Sequence, residues 1–310
     1  MKKILKPFVR AAALILVFTG ITRLFSRRLA FAVIVRLPQK YQSADSIVAF
    51  RGVKLKVNAG DSMGRVLKFM DPYKPVHTAL MESLLVDKKL FYDIGAHIGL
   101  YSAMAVKRGV RTVSIEPDPA LCQYYIRPNV VMNGPADLAT VLCKAVSDTK
   151  GTATFWMHRM GNLGSGRLFK AEDMGENPTI VVETDTLDNL VQQYGKPDLM
   201  KVHIEGAEVL MLRGSYKVFE GEDAPTIVIE FHLPDIAAIA PGTSGDDLIK
   251  KLLGFGYKVK TITEPKYKES MWHVFYKRDL SPASLALFAP ETQVPGGYFL
   301  NASHHGEHLQ

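Results

Sequence analysis

The chain has 310 residues, of which 47% are hydrophobic, so it is long and apolar enough to bury a full α/β core with additions. Its formal net charge is +7, but nine basic residues and no acidic ones fall within the first 40 positions. The remaining 270 residues carry a net charge of −2. The globular part is therefore not basic, and no nucleic-acid partner is indicated.

Residues 1–40 combine this positive charge with apolar sequence. The stretch Ala11–Thr22 spans about 18 Å as a helix, short of the ~30 Å hydrocarbon core of a bilayer. Three arginines separate it from a second apolar run, Leu29–Val35. Such a segment favours a helix or hairpin that lies in the interface of an anionic membrane. A single-pass signal-anchor, a signal peptide without a convincing cleavage site, and an organellar transit peptide are the alternatives.

Residues 41–88 are predicted to form an N-terminal hairpin and a helix that lead into the fold. The alternation in Ile47–Val57 around Arg51-Gly52 predicts a small hairpin. The helical spacing of His77–Val86 predicts a helix. We expect this helix to deliver the chain to the first strand of a domain at 89–280.

The front half of a nucleotide-binding βαβ unit is predicted at 90–117. An apolar run ends in Asp93, turns through Gly95 and Gly99 into a helical pattern, and a second apolar run ends in Glu116-Pro117. Glu116 can accept hydrogen bonds from both hydroxyls of a ribose. Asp93 suits the amino group of an amino-acid-bearing nucleoside and would repel a pyrophosphate. The glycine spacing lacks the third glycine of the dinucleotide fingerprint, so a tight turn in a structural α/β protein is the alternative.

Alternating strands and helices continue along the chain and predict a doubly wound, mostly parallel, Rossmann-like α/β sheet with a C-terminal antiparallel hairpin. The stretch 160–178 is rich in glycine and charge and predicts a mobile loop or lid, and 281–310 is a Pro/Gly/His-containing tail. The predicted elements are a helix from Pro119 to about Met132, strands Ala139–Val146, Gly151–His158 and Thr179–Glu183, a helix from Thr186 to Tyr194, strands Leu199–His203 and Thr226–Glu230, a helix Asp246–Gly254, and paired strands Tyr257–Thr263 and Trp272–Lys277.

The two cysteines, Cys122 and Cys143, do not resemble a disulfide framework. Cys122 falls in a predicted helix and Cys143 in a predicted strand, so we expect both to be core thiols. Free core thiols favour a reducing compartment.

Four acid–base side chains follow two of the later strands. His203 and Glu205 are two residues apart, as are Glu230 and His232, so each pair would share one face of an extended strand. Because ligands of open α/β sheets bind outside the carboxyl ends of the strands, we expect all four at the reactive end of a bound nucleoside as catalytic residues. His203 is the first candidate to accept a proton and His232 the second.

Two other interpretations of this cluster remain open. Its two histidines and two carboxylates could hold a divalent metal, but the spacing matches no standard site, and we expect no metal. Alternatively, Glu205 caps a short helix from Ala207 while the other three satisfy buried backbone groups.

Several motifs together resemble the FkbM-type methyltransferases in order and spacing, over roughly residues 47–277. The resemblance implies the class I methyltransferase fold and methyl transfer from S-adenosylmethionine, typically to oxygen on sugars, polyketides or other glycan- and lipid-linked acceptors. The chain departs at His203, where the family usually has an aspartate, and at His97, where it more often has an asparagine. The matching segments are Asp93-Ile-Gly-Ala-His-Ile-Gly-Leu-Tyr-Ser, Glu116-Pro-Asp-Pro, Asn129-Val-Val-Met-Asn-Gly, Thr186-Leu-Asp and Lys201-Val-His-Ile-Glu-Gly-Ala-Glu.

The same resemblance assigns the cofactor-binding residues. It places the methionine moiety and its loop at Asp93, Gly95, Ala96, His97 and Gly99, and the ribose at Glu116 beside Pro117. Because S-adenosylmethionine is made in the cytosol, we expect the domain to face the cytoplasm.

Two other classes of protein share part of this pattern. A nicotinamide-dependent oxidoreductase would keep Gly95 and Glu116, but should lack Asp93 and show the full glycine triplet. A non-catalytic, cofactor-binding membrane protein would keep both acids and tolerate loss of the histidine–glutamate cluster.

Overall fold

The computed structural model describes residues 45–69, 73–157, 163–169, 178–264 and 267–288. The segment 1–40, for which membrane association is predicted, lies outside the described residues, as do positions 289–310 of the predicted tail. Part of the predicted loop at 160–178 also lies outside them. Within the described part of the chain, no helix combines the length and apolarity needed to cross a bilayer.

Twelve strands are found in the described residues. The first seven are β1 (Asp45–Phe50), β2 (Val53–Asn58), β3 (Leu90–Ile94), β4 (Arg111–Ile115), β5 (Ala139–Leu142), β6 (Ala145–Val146) and β7 (Gly151–Trp156). The remaining five are β8 (Thr179–Asp185), β9 (Leu199–Val202), β10 (Thr226–Glu230), β11 (Lys258–Glu264) and β12 (Tyr267–Tyr276).

The helices of the described residues connect these strands. The first five are α1 (Ser62–Phe69), α2 (Pro75–Leu84), α3 (Leu100–Lys107), α4 (Pro119–Leu121) and α5 (Arg127–Val131), with a π-helical turn at Cys122–Ile126 between the last two. The others are α6 (Leu187–Tyr194), α7 (Glu208–Arg213), α8 (Leu233–Ile239), α9 (Gly245–Gly254) and α10 (Pro282–Leu285).

A seven-stranded sheet forms the centre of the molecule, in the order β11-β12-β10-β9-β3-β4-β5. The five strands from β10 to β5 are parallel, while β12 runs antiparallel to both β10 and β11. The parallel strands come from continuous apolar runs because helices cover both faces, and all five residues of β3 are buried. The predicted doubly wound, mostly parallel sheet with a C-terminal antiparallel hairpin is confirmed.

The N-terminal hairpin β1–β2 shares the core of the sheet. Phe50 and Leu55 are buried in one apolar cluster with Met104 of α3 and Val274 of β12. Side chains form hydrogen bonds with the backbone groups at the outer edge of β2. Asn129 accepts a hydrogen bond from the Lys56 amide at 2.6 Å and donates one to the Lys56 carbonyl at 3.1 Å. The asparagine motif on α5 therefore ties the hairpin to the βαβ unit by mimicking a neighbouring strand.

The predicted third strand, Ala139–Val146, is divided in the structure. β5 belongs to the central sheet, whereas β6 belongs to a separate three-stranded sheet with the order β6-β8-β7. The break falls at Cys143, which is exposed, so its prediction as a core thiol was wrong. Cys122 is buried as predicted. The helices α1, α8 and α10 were not predicted.

Candidate cofactor and active site

A cavity of about 920 Å³ lies outside the carboxyl ends of β3, β4 and β9. Its wall also includes Lys144, which follows β5, and the glycine-rich part of 163–169. This segment pairs with β7 through hydrogen bonds between Trp156 and Arg167 at 2.8 and 2.9 Å. The predicted site residues on the wall are Gly95, Ala96, His97, Glu116, Pro117, His203 and Glu205.

The turn after β3 requires glycine. Gly95 has a φ of +73°, and a Cβ there would lie 2.0 Å from the His203 carbonyl oxygen. The turns after β3 and β9 are therefore packed against each other. Gly99, also at positive φ, starts α3, and a Cβ there would press on Ile126 at 3.3 Å. Both glycines shape the loop, but Gly99 is not on the cavity wall.

Glu116 presents a buried carboxylate to the cavity. It accepts hydrogen bonds from the backbone N–H of His97 at 2.9 Å and of Asp118 at 3.1 Å. Burial raises its pKa to about 7, and these hydrogen bonds oppose the rise. A buried acid with remaining acceptor capacity suits the paired hydroxyls of a ribose.

Asp93 occupies a different place from the one the sequence predicted. It lies on the face of β3 shared with Phe91, which packs against α3 rather than the cavity. Its carboxylate accepts from the Ser102 amide at 3.1 Å and the Ser102 hydroxyl at 2.7 Å. Lys201 Nζ lies 3.4 Å from its other oxygen. Asp93 thus interacts with Ser102 and Lys201 inside the protein and supports the glycine loop on the side away from the cavity.

His203 lies where two carboxylates converge. Its Nε2 is 3.5 Å from both Glu205 Oε1 and Glu230 Oε2. Glu230 Oε2 in turn accepts from Lys74 Nζ at 3.2 Å. Burial lowers the pKa of His203 to about 3; Glu230 opposes the shift, and Lys74 and Lys201 add to it. The imidazole is therefore neutral at physiological pH.

The physical basis of this cluster differs from the predicted one. β9 ends at Val202, so His203 and Glu205 do not share the face of an extended strand. Glu205 instead has a left-handed φ of +50°, which turns its side chain back toward His203. The capping alternative for Glu205 is wrong, since α7 has Ala207 at its N-cap and no side-chain cap.

His232 and Glu230 do not line the cavity wall. His232 Nδ1 lies 2.7 Å from Asp235 Oδ2, and hydrogen bonding to Asp235 raises the pKa of this imidazole. The same oxygen accepts from Arg167 Nε at 2.7 Å. Ligand atoms of Glu205, His232 and Asp235 are close enough to share a metal ion. Because Arg167 already neutralises Asp235, we regard the group as an ion-paired network.

Several site residues were missed by sequence reasoning. Asp61 caps α1 through the Gly64 amide, accepts from the Leu163 amide at 2.9 Å, and lies 3.7 Å from His97 Nε2. An acid directly before an amphipathic run was the available signal. Lys74, Arg167 and Trp272 had no local signal, because their partners are distant in sequence.

A glycine turn, an acid at the tip of the next strand and a cavity at the carboxyl edge of a parallel sheet define a nucleoside-binding protein of the class I methyltransferase fold. The chain belongs to the FkbM methyltransferase family, since the family profile "Methyltransferase FkbM domain" matches residues 93–259, more than half of its length. No protein of curated function matches it.

Three solved structures are similar at low identity. Methyltransferase FkbM from Methylobacillus flagellatus KT is 20% identical with a TM-score of 0.43, over 61% of this chain and 44% of that chain. TYW2 from M. jannaschii, in complex with AdoMet, is 15% identical with a TM-score of 0.39, over 75% and 84%. A SAM-dependent methyltransferase from Agrobacterium tumefaciens is 8% identical with a TM-score of 0.41, over 76% and 71%. This chain thus spans less than half of the M. flagellatus protein.

The cofactor of the family is S-adenosyl-L-methionine, and the cavity wall has the chemistry to hold it. Glu116 offers acceptors to the ribose, and the loop Gly95–His97 borders the same cavity. Lys144 and Ala145 follow β5 next to Glu116, whose amide donates to the Leu142 carbonyl at 3.1 Å. When bound, the cofactor supplies an activated methyl group.

Proposed function

We propose that this protein is an S-adenosylmethionine-dependent O-methyltransferase. The observation that supports it best is the position of the His203 imidazole on the wall of the cavity that holds Glu116 and the glycine loop, with two carboxylates 3.5 Å from its Nε2. A neutral imidazole can accept the proton that an acceptor hydroxyl loses as its oxygen gains the methyl carbon. The carbon–sulfur bond of the cofactor breaks as the carbon–oxygen bond forms, so no further reactant is needed.

The surroundings of His203 suit this role. Glu205 and Glu230 lie 3.5 Å from its Nε2 and would stabilise the imidazolium formed when it takes the proton. The ring packs edge-on against Trp272, with centroids 5.4 Å apart, which restricts its orientation. His232 is the second candidate for the base, with Glu205 between it and the cavity.

For the acceptor, we propose a small hydroxylated molecule with an apolar or ring-bearing surface, such as a glycan, lipid-linked or secondary-metabolite acceptor. The same cavity wall contains Met63, Val66, Tyr73, Phe155 and Leu168. Apolar and aromatic surfaces with few polar groups are typical of small-molecule sites. Most of the rate would come from positioning the hydroxyl against the methyl group.

The cofactor class can be tested first by isothermal titration of the full chain with S-adenosylhomocysteine and with NAD. Binding of the former alone supports the proposal, and binding of NAD alone would support the oxidoreductase alternative. The acceptor can then be sought by untargeted mass spectrometry of lipids and glycans with and without the gene. A product class that loses the mass of one methyl group identifies the acceptor, whereas a cofactor-binding protein without such a product would favour the non-catalytic alternative.

A further inference from the structure

Glu205 is an acidic side chain in the turn after β9, which packs against the turn after β3. It lines the cavity, and its side chain is only 13% exposed. Its backbone is in the left-handed region, and a Cβ at the following Gly206 would lie 2.5 Å from the Asp235 Cβ. This turn is therefore packed tightly against α8 and fixes the direction of the Glu205 carboxylate. Backbone strain of this kind is found where a side chain has a defined task.

The three carboxylates of this cluster differ in their direct ion-pair partners. Glu230 is paired with Lys74 at 3.2 Å, and Asp235 with Arg167 at 2.7 Å. Glu205 faces His203, which is neutral, and its carboxylate lies near His232 in the network with Asp235. Burial raises the pKa of Glu205, and the charges of His232 and Arg167 oppose the rise. Among the described residues no lysine or arginine lies within ion-pair distance of Glu205, so an ammonium group on the cavity side would be its first such partner.

The acid of β3 that precedes the glycine turn is buried away from the cavity wall. Asp93 is bonded to Ser102 and faces Lys201. Lys201 Nζ also donates a hydrogen bond to the Gly95 carbonyl, so this carbonyl already has a cationic partner. A second cation at that side of the loop would meet the Lys201 ammonium. The two carboxylates that reach the cavity wall are Glu116 after β4 and Glu205 after β9.

We propose that Glu205 binds the α-ammonium group of the methionine moiety of the cofactor, the task that the sequence assigned to Asp93. The inference rests on the proposed function insofar as it requires S-adenosylmethionine in this cavity. Glu116 would then hold the nucleoside end and Glu205 the amino-acid end of one ligand. The contact would be a charge-assisted hydrogen bond in a partly desolvated site.

The test compares three ligands by isothermal titration of the full chain: S-adenosylmethionine, S-adenosylhomocysteine and 5′-methylthioadenosine. The second lacks the sulfonium charge but keeps the ammonium, and the third lacks the whole amino-acid portion. We expect Glu205→Gln to weaken binding of the first two by about ten- to a hundredfold and to leave 5′-methylthioadenosine unchanged. Glu116→Gln, the matched control, should weaken all three.

Unchanged binding of all three ligands by Glu205→Gln would overturn the inference. Weaker binding of S-adenosylmethionine alone would also overturn it, because the partner of Glu205 would then be the sulfonium. An equal loss of affinity for all three ligands would overturn it as well, because it indicates general damage to the site. Unchanged affinity for 5′-methylthioadenosine reports correct folding of Glu205→Gln, and the urea midpoint reports it for Glu116→Gln. If the wild-type chain binds none of the three, the proposed function fails, and that result is distinct from failure of the Glu205 assignment.

Discussion

At the end of β4, burial raises the pKa of Glu116 from 4.5 to about 7. A ligand whose hydroxyls donate to the carboxylate binds the ionised form better, so protonation competes with binding. We expect cofactor affinity to be constant above pH 7 and to fall below it, approaching about tenfold per pH unit. Titration calorimetry across this range measures it. Glu116→Gln should remove the fall in affinity that begins near pH 7, and a flat wild-type profile would contradict the assignment.

Asp93 is an acid like Glu116, but it is buried away from the cavity and forms an ion pair with Lys201. Removing its charge leaves Lys201 buried beside an uncharged partner, and breaking a buried pair costs about 3–5 kcal/mol. Asp93→Asn should therefore lower the free energy of unfolding strongly, as measured by urea denaturation. Asp279→Asn, which removes an exposed pair with Lys258, serves as the control and should have a far smaller effect. Equal effects of the two variants would show that Asp93 has no supporting role.

The proton acceptor is tested by His203→Ala once an acceptor is known. A general base contributes typically about 10²–10⁴-fold, so kcat should fall by that factor. Cofactor affinity should stay within a few-fold, because the ribose contacts remain. Full turnover by His203→Ala, together with a loss in His232→Ala, would move the base to His232.

Among the elements, β2 depends on side chains for its outer edge. Asn129 makes hydrogen bonds with both backbone groups of Lys56 and donates to the Ile98 carbonyl at 2.7 Å. Asn129→Ala leaves these groups unpaired, and each buried unpaired group costs about 1–3 kcal/mol.

The effect is measured as the change in urea midpoint, with Val131→Ala on the same helix as control. Val131 is 57% exposed, and exposed substitutions are usually within about 0.5 kcal/mol. If Asn129→Ala behaves like the control, the hairpin does not depend on this bridge.

The segment 163–169 forms part of the cavity wall and is attached to two separate parts of the chain. The Leu163 amide donates to Asp61, which precedes α1, and Arg167 pairs with Asp235 of α8. A Cβ at Gly164 would lie 3.1 Å from the His97 ring, so the segment approaches the cofactor loop closely. The described part of the predicted loop is thus bound to two acidic residues, Asp61 and Asp235, which lie in different parts of the chain.

For the whole molecule, we propose that residues 1–40 dock the enzyme on an anionic membrane surface with the catalytic domain in the cytoplasm. The nine basic residues of this segment contrast with the net charge of −2 elsewhere. Each Lys or Arg near an anionic leaflet contributes up to about 1 kcal/mol, an attraction that salt screens. We expect vesicle binding to weaken in high salt, and a chain lacking residues 1–40 to remain unbound while retaining cofactor affinity.

A spanning segment would behave differently. Salt would not release it, and only alkali-resistant, detergent-sensitive association would be seen. Protection of the folded domain from protease inside sealed vesicles whose cytosolic face points outward would place it in the lumen. That result would overturn the proposed topology.

The sequence by itself determined the local features of the molecule. Apolar runs ending in Asp93 and Glu116, glycines at the turn and the helical spacing between them are sufficient for the βαβ unit, because period and turn chemistry act over a few residues. The order of strands and helices then fixed the doubly wound sheet, since crossover connections between parallel strands allow few arrangements. The family resemblance was carried by the same local motifs.

Only the tertiary structure decided which acids face the cavity. Asp93 and Glu205 each lie near a strand end after an apolar run, yet Asp93 contacts α3 and Glu205 lines the cavity. The difference arises from a left-handed turn at Glu205 and from Lys201 and Ser102 around Asp93. Lys74 and Arg167 reach their partners across 156 and 68 positions of the chain. Such contacts depend on how distant segments pack, which no local pattern encodes.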